Sequence, residues 1–132
     1  MPADPVPLDA FFAHHAPSRP LFDAVRAAVE AIGPSEVRVS KSQVAFRRRR
    51  VFAWAWLPGQ YLHGPHAPLV LTVALRRRDP SPRWKEVVEP APGRFTHHLE
   101  VRTVAEIDDD VRGWLREAWQ QAGASVGAAE SP

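Results

Sequence analysis

The chain has 132 residues, of which 45% are hydrophobic and 24% charged, and this composition predicts one globular domain with a sizeable core. It contains no cysteine, which excludes a disulfide framework, a thiol nucleophile and a cysteine-ligated zinc or iron–sulfur centre. No apolar run approaches the roughly 20 residues of a transmembrane helix, and the first residues lack the features of a signal peptide. We therefore expect a cytoplasmic protein that does not use a membrane.

The net charge of +2 is distributed unevenly along the chain. Residues 36–85 contain eleven Arg or Lys but only two acids, whereas residues 100–117 contain six acids and three arginines. A basic middle beside an acidic end can create a field that attracts anions. The excess of arginine over lysine, together with many Ala, Pro and Val residues, is also typical of a GC-rich genome, so codon bias alone could explain part of the basic charge.

The N-terminal part, residues 1–17, is rich in proline and is predicted to be an irregular arm, anchored to the domain by Phe11–Phe12. The first helix is expected to begin at Ser18, a typical N-cap residue, and to end at Ile32. Its apolar residues recur at spacings of three and four, which is typical of one buried stripe. The Gly–Pro pair that follows, Gly33–Pro34, terminates the helix.

Alternating or Val-rich segments then predict a series of β-strands. They are residues 36–40, 43–46, 51–57, 68–75 and 94–101. In the third segment, VFAWAWL, alternation places Trp54 and Trp56 on one face, which we expect to be the core, and small alanines on the other. The proline-rich stretches 58–68 and 76–93 are predicted to be loops, and Trp84, in the second of them, is expected to be exposed.

The closing helix is predicted from a capping-box pattern, Thr103 with Glu106, and from three successive aspartates that suit the start of a helix. Strands grouped between two helices predict an α+β fold, with an antiparallel sheet of four to five strands and both helices packed on one face. We expect a single domain at residues 18–122 and a flexible tail at residues 123–132.

Four consecutive arginines, Arg47 to Arg50, lie between two strands. A single strand through them would be 15 residues long, beyond the usual 3–10, so a turn at Arg48 and Arg49 is favoured. The run is then either a solvated hairpin tip, which also discourages edge-to-edge aggregation, or a contact for an anion or nucleic acid. A second cluster, Arg76, Arg77 and Arg78, follows the next strand and could lie at the same edge of the sheet.

Other candidate chemistry is sparse. The six histidines do not have the three or four convergent ligands of a zinc site, and His97 and His98 should point to opposite faces of a strand. There is no nucleophile elbow, no phosphate-binding glycine loop and no dinucleotide fingerprint. The sequence predicts no metal and no cofactor, and it favours a binding module over an enzyme.

The order of the motifs over residues 8–122 resembles the uncharacterised bacterial domain-of-unknown-function family 5655. The matching positions are Phe11–Phe12, Gly33–Pro34, Lys41, Val44–Ala45–Phe46, Phe52–Ala53, His97–His98, Asp108, Leu115 and Ala118–Trp119. The chain departs from the family pattern in its long basic run, in Trp54 and Trp56, and in having Trp119 where Tyr is more frequent.

The resemblance implies an accessory or binding module with no established reaction. The polar positions that match the family best are Lys41, Arg49 and His98, which could converge on an anionic ligand or could stabilise the fold. Three hypotheses follow from the sequence and the resemblance. The domain binds an anion or nucleic acid through its arginine clusters, or it uses the open sheet face to bind a protein partner or to form a homodimer. The third hypothesis is a small-molecule pocket between sheet and helices, lined by Trp54, Trp56, Trp114 or Trp119.

Overall fold

A computed structural model describes residues 7–123 of the chain. The helices are α1 (Leu8–Phe11), α2 (Arg19–Ile32) and α3 (Asp109–Gly123). The strands are β1 (Glu36–Val39), β2 (Val44–Arg47), β3 (Val51–Trp56), β4 (Leu69–Leu75), β5 (Glu86–Ala91) and β6 (Arg94–Val101). Short 3₁₀ turns lie at Ala16–Ser18, Pro58–Gln60 and Val104–Glu106. No helix within residues 7–123 is long and apolar enough to cross a membrane.

The six strands form one antiparallel sheet in the order β1-β2-β3-β4-β6-β5. The α+β class and the antiparallel sheet are confirmed, but the sheet has six strands and not four to five. The missed strand is β5, whose residues are mostly exposed and include Pro90. A proline is tolerated there because β5 is an edge strand. Its turn into β6 passes through Gly93, whose φ of 72° is in the region that favours glycine.

Helices α2 and α3 cover one face of the sheet, as predicted. Their apolar stripes bury Phe22, Val25 and Val29 from α2 and Val111 and Leu115 from α3. The opposing sheet residues, which belong to the same core cluster, are Val44, Phe46, Ala53, Ala55, Leu69, Leu71, Val73, Leu75, Leu99 and Val101. Burial of these side chains, at about 1.5–3 kcal/mol for each large one, is the main stabilising contribution to the fold.

The N-terminal arm is part of this core. Phe11 and Phe12 are buried, and their rings continue as a chain of aromatic contacts through Phe22 to Phe46, with centroid separations of 4.9, 5.1 and 5.9 Å. The predicted N-cap, Ser18, precedes α2 but does not cap it, because its hydroxyl donates instead to the Pro68 carbonyl at 2.6 Å. The arm is therefore fixed to the strand β4 side of the domain.

The face assignment of β3 is opposite to the predicted one. Ala53 and Ala55 lie under the helices, whereas Trp54 and Trp56 lie on the other face and are only half-buried. Phe52 does not follow this alternation, because it is the extra residue of a β-bulge between β2 and β3. Its side chain is therefore buried in the core. Small residues on β3 let α3 pack close to the sheet, so the large tryptophans are left on the uncovered side.

Helix α3 begins one element later than the capping box predicts. The Thr103–Glu106 capping box is present, but it caps the start of the 3₁₀ turn at Val104–Glu106 and not the start of α3. Asp108 caps α3 itself, since its carboxylate accepts from the Val111 amide at 3.2 Å. The helix ends at Gly123, and residues 124–132 of the predicted flexible tail lie outside the described residues, as do residues 1–6 of the arm.

Candidate functional site

The sheet face that the helices leave uncovered, here called the open face, carries an unusual row of side chains. The register places six residues opposite one another across the six strands: Arg38, Ala45, Trp54, Thr72, His98 and Glu86. Trp56, Val70 and Glu100 form a neighbouring row. The open face is therefore aromatic and partly apolar at its centre and charged at its edges.

Two adjoining cavities occupy this face, and Trp56 and His98 line both, so we name them together the sheet cleft. The first has a volume of about 290 Å³ and is lined by Ser42, Gln43, Trp54, Trp56, Tyr61, Thr72, Thr96 and His98. The second, of about 620 Å³, is lined by Trp56, Pro58, Leu62, Pro65, His66, Val70, Lys85, Glu86, His98, Glu100 and Arg102. The larger of the two falls within the range of about 300–1,000 Å³ typical of small-molecule sites.

A chain of hydrogen bonds crosses the centre of the sheet cleft. The indole N–H of Trp56 donates to Thr72 Oγ1 at 3.4 Å, and Thr72 Oγ1 lies 2.8 Å from Nδ1 of His98. If the Thr72 hydroxyl donates to Nδ1, the proton of the neutral imidazole is on Nε2. These three side chains come from β3, β4 and β6, so the sheet itself fixes their relative positions.

Burial favours the neutral form of His98, and one of its ring nitrogens makes no hydrogen bond within residues 7–123. Burial lowers the pKa of His98, although the negative charge of Glu86 acts in the opposite direction. Within residues 7–123, Nε2 of His98 has no hydrogen-bond partner. Every buried side-chain nitrogen and oxygen in those residues does have a partner, so Nε2 is not buried and is accessible to solvent. The cleft thus offers one imidazole nitrogen for a directional hydrogen bond.

The rim of the sheet cleft is polar, and its charges are mutually compensated. Lys85 donates to Glu100 at 3.1 Å, and Arg102 lies 3.8 Å from the other oxygen of the same carboxylate. On the opposite side, Tyr61 and Leu62 project from the loop after β3 and are 58% and 53% exposed. A rim of this kind suits an uncharged or weakly charged ligand better than a polyanion.

The contact between Thr72 and His98 has the composition of a nucleophile and a base, but its surroundings do not support acyl transfer. Such chemistry needs donors positioned for an oxyanion. Thr72 lies on β4, which is paired on both sides with β3 and β6, so the backbone donors near it are used in the ladders. In the described part of the chain, no three His, Asp or Glu side chains are grouped to hold a metal ion.

The predicted arginine run forms the turn between β2 and β3, as expected, and although Arg48, Arg49 and Arg50 are exposed, two of them contact α3. Arg48 stacks on Trp119, 3.5 Å from its ring centroid, and donates to the Trp119 carbonyl. Arg50 donates to the carbonyl of Gln121, which also accepts from Arg76. These arginines therefore pack against the last turn of α3, where unpaired carbonyls and the helix dipole favour cations.

The second cluster is at the same end of the sheet, and its members have individual roles. Arg77 makes a bidentate pair with Glu117, with both distances 2.9 Å, and also reaches Asp79 at 2.8 Å. Its hydrogen bonds to Glu117 raise the pKa of Arg77. Arg78 lies over the ring of Phe95 at 5.4 Å. The two clusters thus meet around α3, and anion binding through them stays a prediction.

The three polar positions singled out by the family resemblance do not converge. Lys41 follows β1 and is beside His14 and His15, whereas Arg49 is beyond the other end of β2. His98 is in the centre of the open face. Because β2 separates Lys41 from Arg49, one small ligand cannot contact all three.

The four tryptophans proposed for one pocket also lie on two sides of the sheet. Trp54 and Trp56 line the sheet cleft, but Trp114 is buried on the helix side. Trp119 is half-buried there, donates to the Pro34 carbonyl at 3.0 Å, and packs so closely on Gly33 that a Cβ at that position would lie 2.5 Å from its ring. The pocket between sheet and helices is therefore replaced by a cleft on the opposite face.

Trp84 is buried, contrary to the expected exposure. Its ring packs 4.9 Å from His97 and 4.2 Å from Trp114, and its indole N–H donates to Asp79 at 2.9 Å. His97 is fully buried, and its Nε2 accepts from the Asp79 amide at 3.0 Å. Burial lowers the pKa of His97. Burial alone would raise the pKa of Asp79, but the bonds from Trp84, Ser81 and Arg77 lower it.

Thr72 and Gln43 were not predicted as residues of the site. One signal was present for Thr72, which is the only polar side chain in the apolar strand LVLTVAL. Gln43 and Tyr61 follow turns, and only the folded sheet brings them beside Trp54.

The model of the family described as "Domain of unknown function (DUF5655)" matches residues 8–122. The chain belongs to this family. No curated protein and no solved structure matches the chain significantly. Membership confirms the resemblance that the motifs indicated, and the description of the family assigns no function.

Proposed function

We propose that this domain is a non-enzymatic binding module that takes a small, planar, largely uncharged ligand into the sheet cleft. The observation that carries the proposal is the pair of half-buried tryptophans, Trp54 and Trp56, around a neutral His98 on the face without helices. Tryptophan supplies a large apolar surface with a flat face and is favoured where a ring stacks on a ligand.

The polar groups of the cleft limit the ligand further. Nε2 of His98 can form one hydrogen bond, and the Gln43 amide, which also lines the first cavity, offers donor and acceptor atoms. Because the Thr72 hydroxyl bridges Trp56 and His98, it serves to orient them. We therefore expect a planar heterocycle that stacks on an indole and forms one or two directional hydrogen bonds, which is a common composition of small-molecule sites.

The test is a titration of the ¹⁵N-labelled chain with purine, indole and quinoline, monitored by backbone and indole N–H shifts. We expect saturable shifts at the indole of Trp56 and at Thr72 and His98 for at least one of these compounds. Trp54→Ala should weaken that binding about tenfold, since stacking on an aromatic side chain contributes about 1–3 kcal/mol in related settings.

Trp119→Phe is the control because Trp119, like Trp54, is a half-buried tryptophan, but it lies on the opposite side of the sheet. Binding should be unchanged in this variant. Shifts that do not saturate with any of the three compounds, or equal losses in Trp54→Ala and Trp119→Phe, would contradict a ligand site on the open face. Concentration-dependent broadening without ligand would instead support the use of the open face for self-association.

A further inference from the structure

A third cavity, separate from the sheet cleft, lies where the two arginine clusters meet the end of α3. We name it the α3-end cavity. It has a volume of about 230 Å³ and is lined by Arg50, Val51, Phe52, Ala74, Leu75, Arg76, Pro92, Gly93, Arg94, Ala118, Gln121 and Ala122. Its walls come from β3, β4, the β5–β6 turn and α3, so four parts of the fold bring these residues together.

The lining of the α3-end cavity is cationic. Arg50, Arg76 and Arg94 contribute three guanidinium groups, and no lining residue is acidic. Arg76 donates to the Gln121 carbonyl, but a helix C-terminus carries only about −0.5 of a charge, which does not neutralise Arg76 and Arg94 together. Two carboxylates lie beside the lining: Glu117 is bound by Arg77 through both oxygens, and Glu89 accepts from the Gly93 amide at 3.0 Å.

The arginines that line the α3-end cavity differ in how many hydrogen bonds fix them. The Gln121 side chain accepts from the Arg76 amide at 3.0 Å, which ties the end of β4 to α3 and fixes the position of Arg76. The Arg94 side chain, in contrast, makes no hydrogen bond or ion pair within residues 7–123. Arg94 begins β6 directly after the turn at Gly93, so its backbone is held in the sheet. Its guanidinium keeps all five N–H donors for a ligand.

The floor of the α3-end cavity is apolar. Phe52, Leu75, Ala118 and Ala122 are all buried and belong to the core cluster. An apolar floor lowers the local dielectric, so charge pairing at the rim is stronger there than on an open surface. The volume is below the range of about 300–1,000 Å³ of drug-sized sites, which limits the occupant to a small molecule.

We infer that the α3-end cavity binds a small organic anion, with a carboxylate or phosphate group at the arginines and a compact apolar group on the floor. The fork of an arginine matches either head group through two parallel hydrogen bonds. This site goes beyond the sheet cleft in both position and chemistry, and it gives the clustered arginines a ligand that their number and placement favour over the extended backbone of a nucleic acid.

The experiment is an NMR titration of the labelled chain with benzoate at low ionic strength, monitored at the Gly93 amide and at the arginine Nε–H groups. Benzamide has the same shape without the charge, and acetate has the charge without the ring. We expect saturable binding of benzoate, at least tenfold weaker binding of benzamide and acetate, and weakening of benzoate binding in 0.15 M salt. Inorganic phosphate should compete with benzoate.

Arg94→Gln should weaken benzoate binding about tenfold or more, because a hydrogen bond to a charged group is lost together with its charge. This variant should fold normally, since Arg94 has no partner in the described part of the chain. The matched control is Arg112→Gln, which removes an exposed arginine near the opposite end of α3, where its side chain pairs with Asp109. It carries the same change in net charge, and benzoate binding should be unaffected.

Three outcomes would overturn the inference. The first is equal binding of benzamide and benzoate, which would mean that the apolar floor alone accounts for the binding and the charge does not contribute. The second is equal weakening of benzoate binding by Arg94→Gln and Arg112→Gln, which would mean that only the overall charge of the protein matters. The third is displacement of benzoate by a micromolar single-stranded oligonucleotide with a steep salt dependence, which would assign the arginines to a phosphodiester backbone. Binding of either compound in the sheet cleft is distinguished by shifts at Trp56, Thr72 and His98, whereas these outcomes are measured at Gly93 and at the arginine Nε–H groups.

Discussion

The adjacent residues His97 and His98 contrast the two sides of the sheet. His97 points under the helices, is fully buried, and has both ring nitrogens bonded, one to the Asp79 amide and one to the Val73 carbonyl. His98 points to the open face, has one nitrogen bonded to Thr72, and keeps the other accessible. The same residue type therefore completes the core on one side and remains available for recognition on the other.

The contrast between the two histidines indicates where function can be located in the domain. On the helix side, every polar group in the cluster of Asp79, Trp84 and His97 is satisfied by a protein partner. Satisfied buried networks specify a fold and resist change. On the open face, aromatic and polar groups are left partly uncovered, at a cost in stability that a ligand could offset. Three experiments compare the two sides and a fourth compares two neighbouring arginines; they are given in order of decreasing effect.

The largest difference in the free energy of unfolding is expected between two tryptophan variants, Trp84→Ala and Trp54→Ala. Trp84→Ala should lower the free energy of unfolding by about 3–5 kcal/mol, because a buried aromatic leaves a cavity and the Asp79 carboxylate loses a donor. Trp54→Ala should cost about 1 kcal/mol, the typical effect of a single substitution, since that ring is only half-buried. Urea unfolding of both variants measures the two values. Equal losses would mean that the open face is as tightly packed as the core.

The histidines give the same comparison with polar groups. His97→Phe keeps a ring of similar size but leaves the Asp79 amide and the Val73 carbonyl without their partner, which should cost about 1–3 kcal/mol. His98→Phe leaves the Thr72 hydroxyl with the Trp56 donor, so its effect should remain within about 0.5 kcal/mol, as for a surface position. Thermal unfolding at pH 7.5 compares them. A larger loss for His98→Phe would show that the sheet cleft is structural.

Acid should destabilise the domain through these histidines. Burial lowers the pKa of both His97 and His98 in the folded state, whereas the unfolded chain has histidine pKa values near 6.5. The unfolded state therefore binds more protons below about pH 6.5, and the stability present above that pH is lost as the pH falls toward the folded pKa values. Each proton contributes a slope of up to about 1.4 kcal/mol per pH unit.

Urea unfolding at pH 7.5, 6.5 and 5.5 measures this slope. His98→Gln should reduce it by the share of one histidine, and the slope that remains should be that of His97. The carboxylates with lowered pKa, Asp79 and Asp108, titrate at lower pH and do not contribute in this window. An unchanged slope in His98→Gln would mean that His98 has the same pKa folded and unfolded, contrary to a partly desolvated site.

Much of the fold could be predicted because its signals are local. The stripe of α2, the alternation in β2 and the turn at Arg48 depend on periodicity and on chain length, which the sequence contains directly. The strand β5 could not be predicted, because an exposed edge strand with Pro90 has the composition of a loop. The order of strands also places β6 between β4 and β5, which depends on pairing between distant segments.

The candidate site was harder to predict than the fold for one physical reason. Alternation in VFAWAWL separates the tryptophans from the alanines, but it does not say which set faces the helices. The larger side chains are the natural choice for a core, yet here Ala53 and Ala55 face α3 and the tryptophans line the sheet cleft. Likewise, the arginine run predicts positive charge, while its contacts with α3 depend on where that helix ends.

The smallest expected effect separates two neighbours in the arginine run. Arg48 stacks on Trp119 and donates to its carbonyl, so Arg48→Ala removes a cation–π contact and a charge at the C-terminus of α3. Together these should lower the free energy of unfolding by about 1 kcal/mol at low salt. Arg49→Ala is the matched control, because the Arg49 side chain has no partner within residues 7–123, and its effect should stay within about 0.5 kcal/mol.

Salt distinguishes the reasons for any difference between these two variants. Raising the salt concentration should shrink the loss in Arg48→Ala only partly, because it screens the helix charge but not the stacking of the guanidinium on the indole. If both variants lose the same small amount and salt removes it, then the run acts only through its net charge, and the hairpin tip would be a solvated feature after all. If Arg48→Ala alone is destabilised, the basic run has a defined role at the end of α3. Its remaining cations could then be assigned separately to the α3-end cavity.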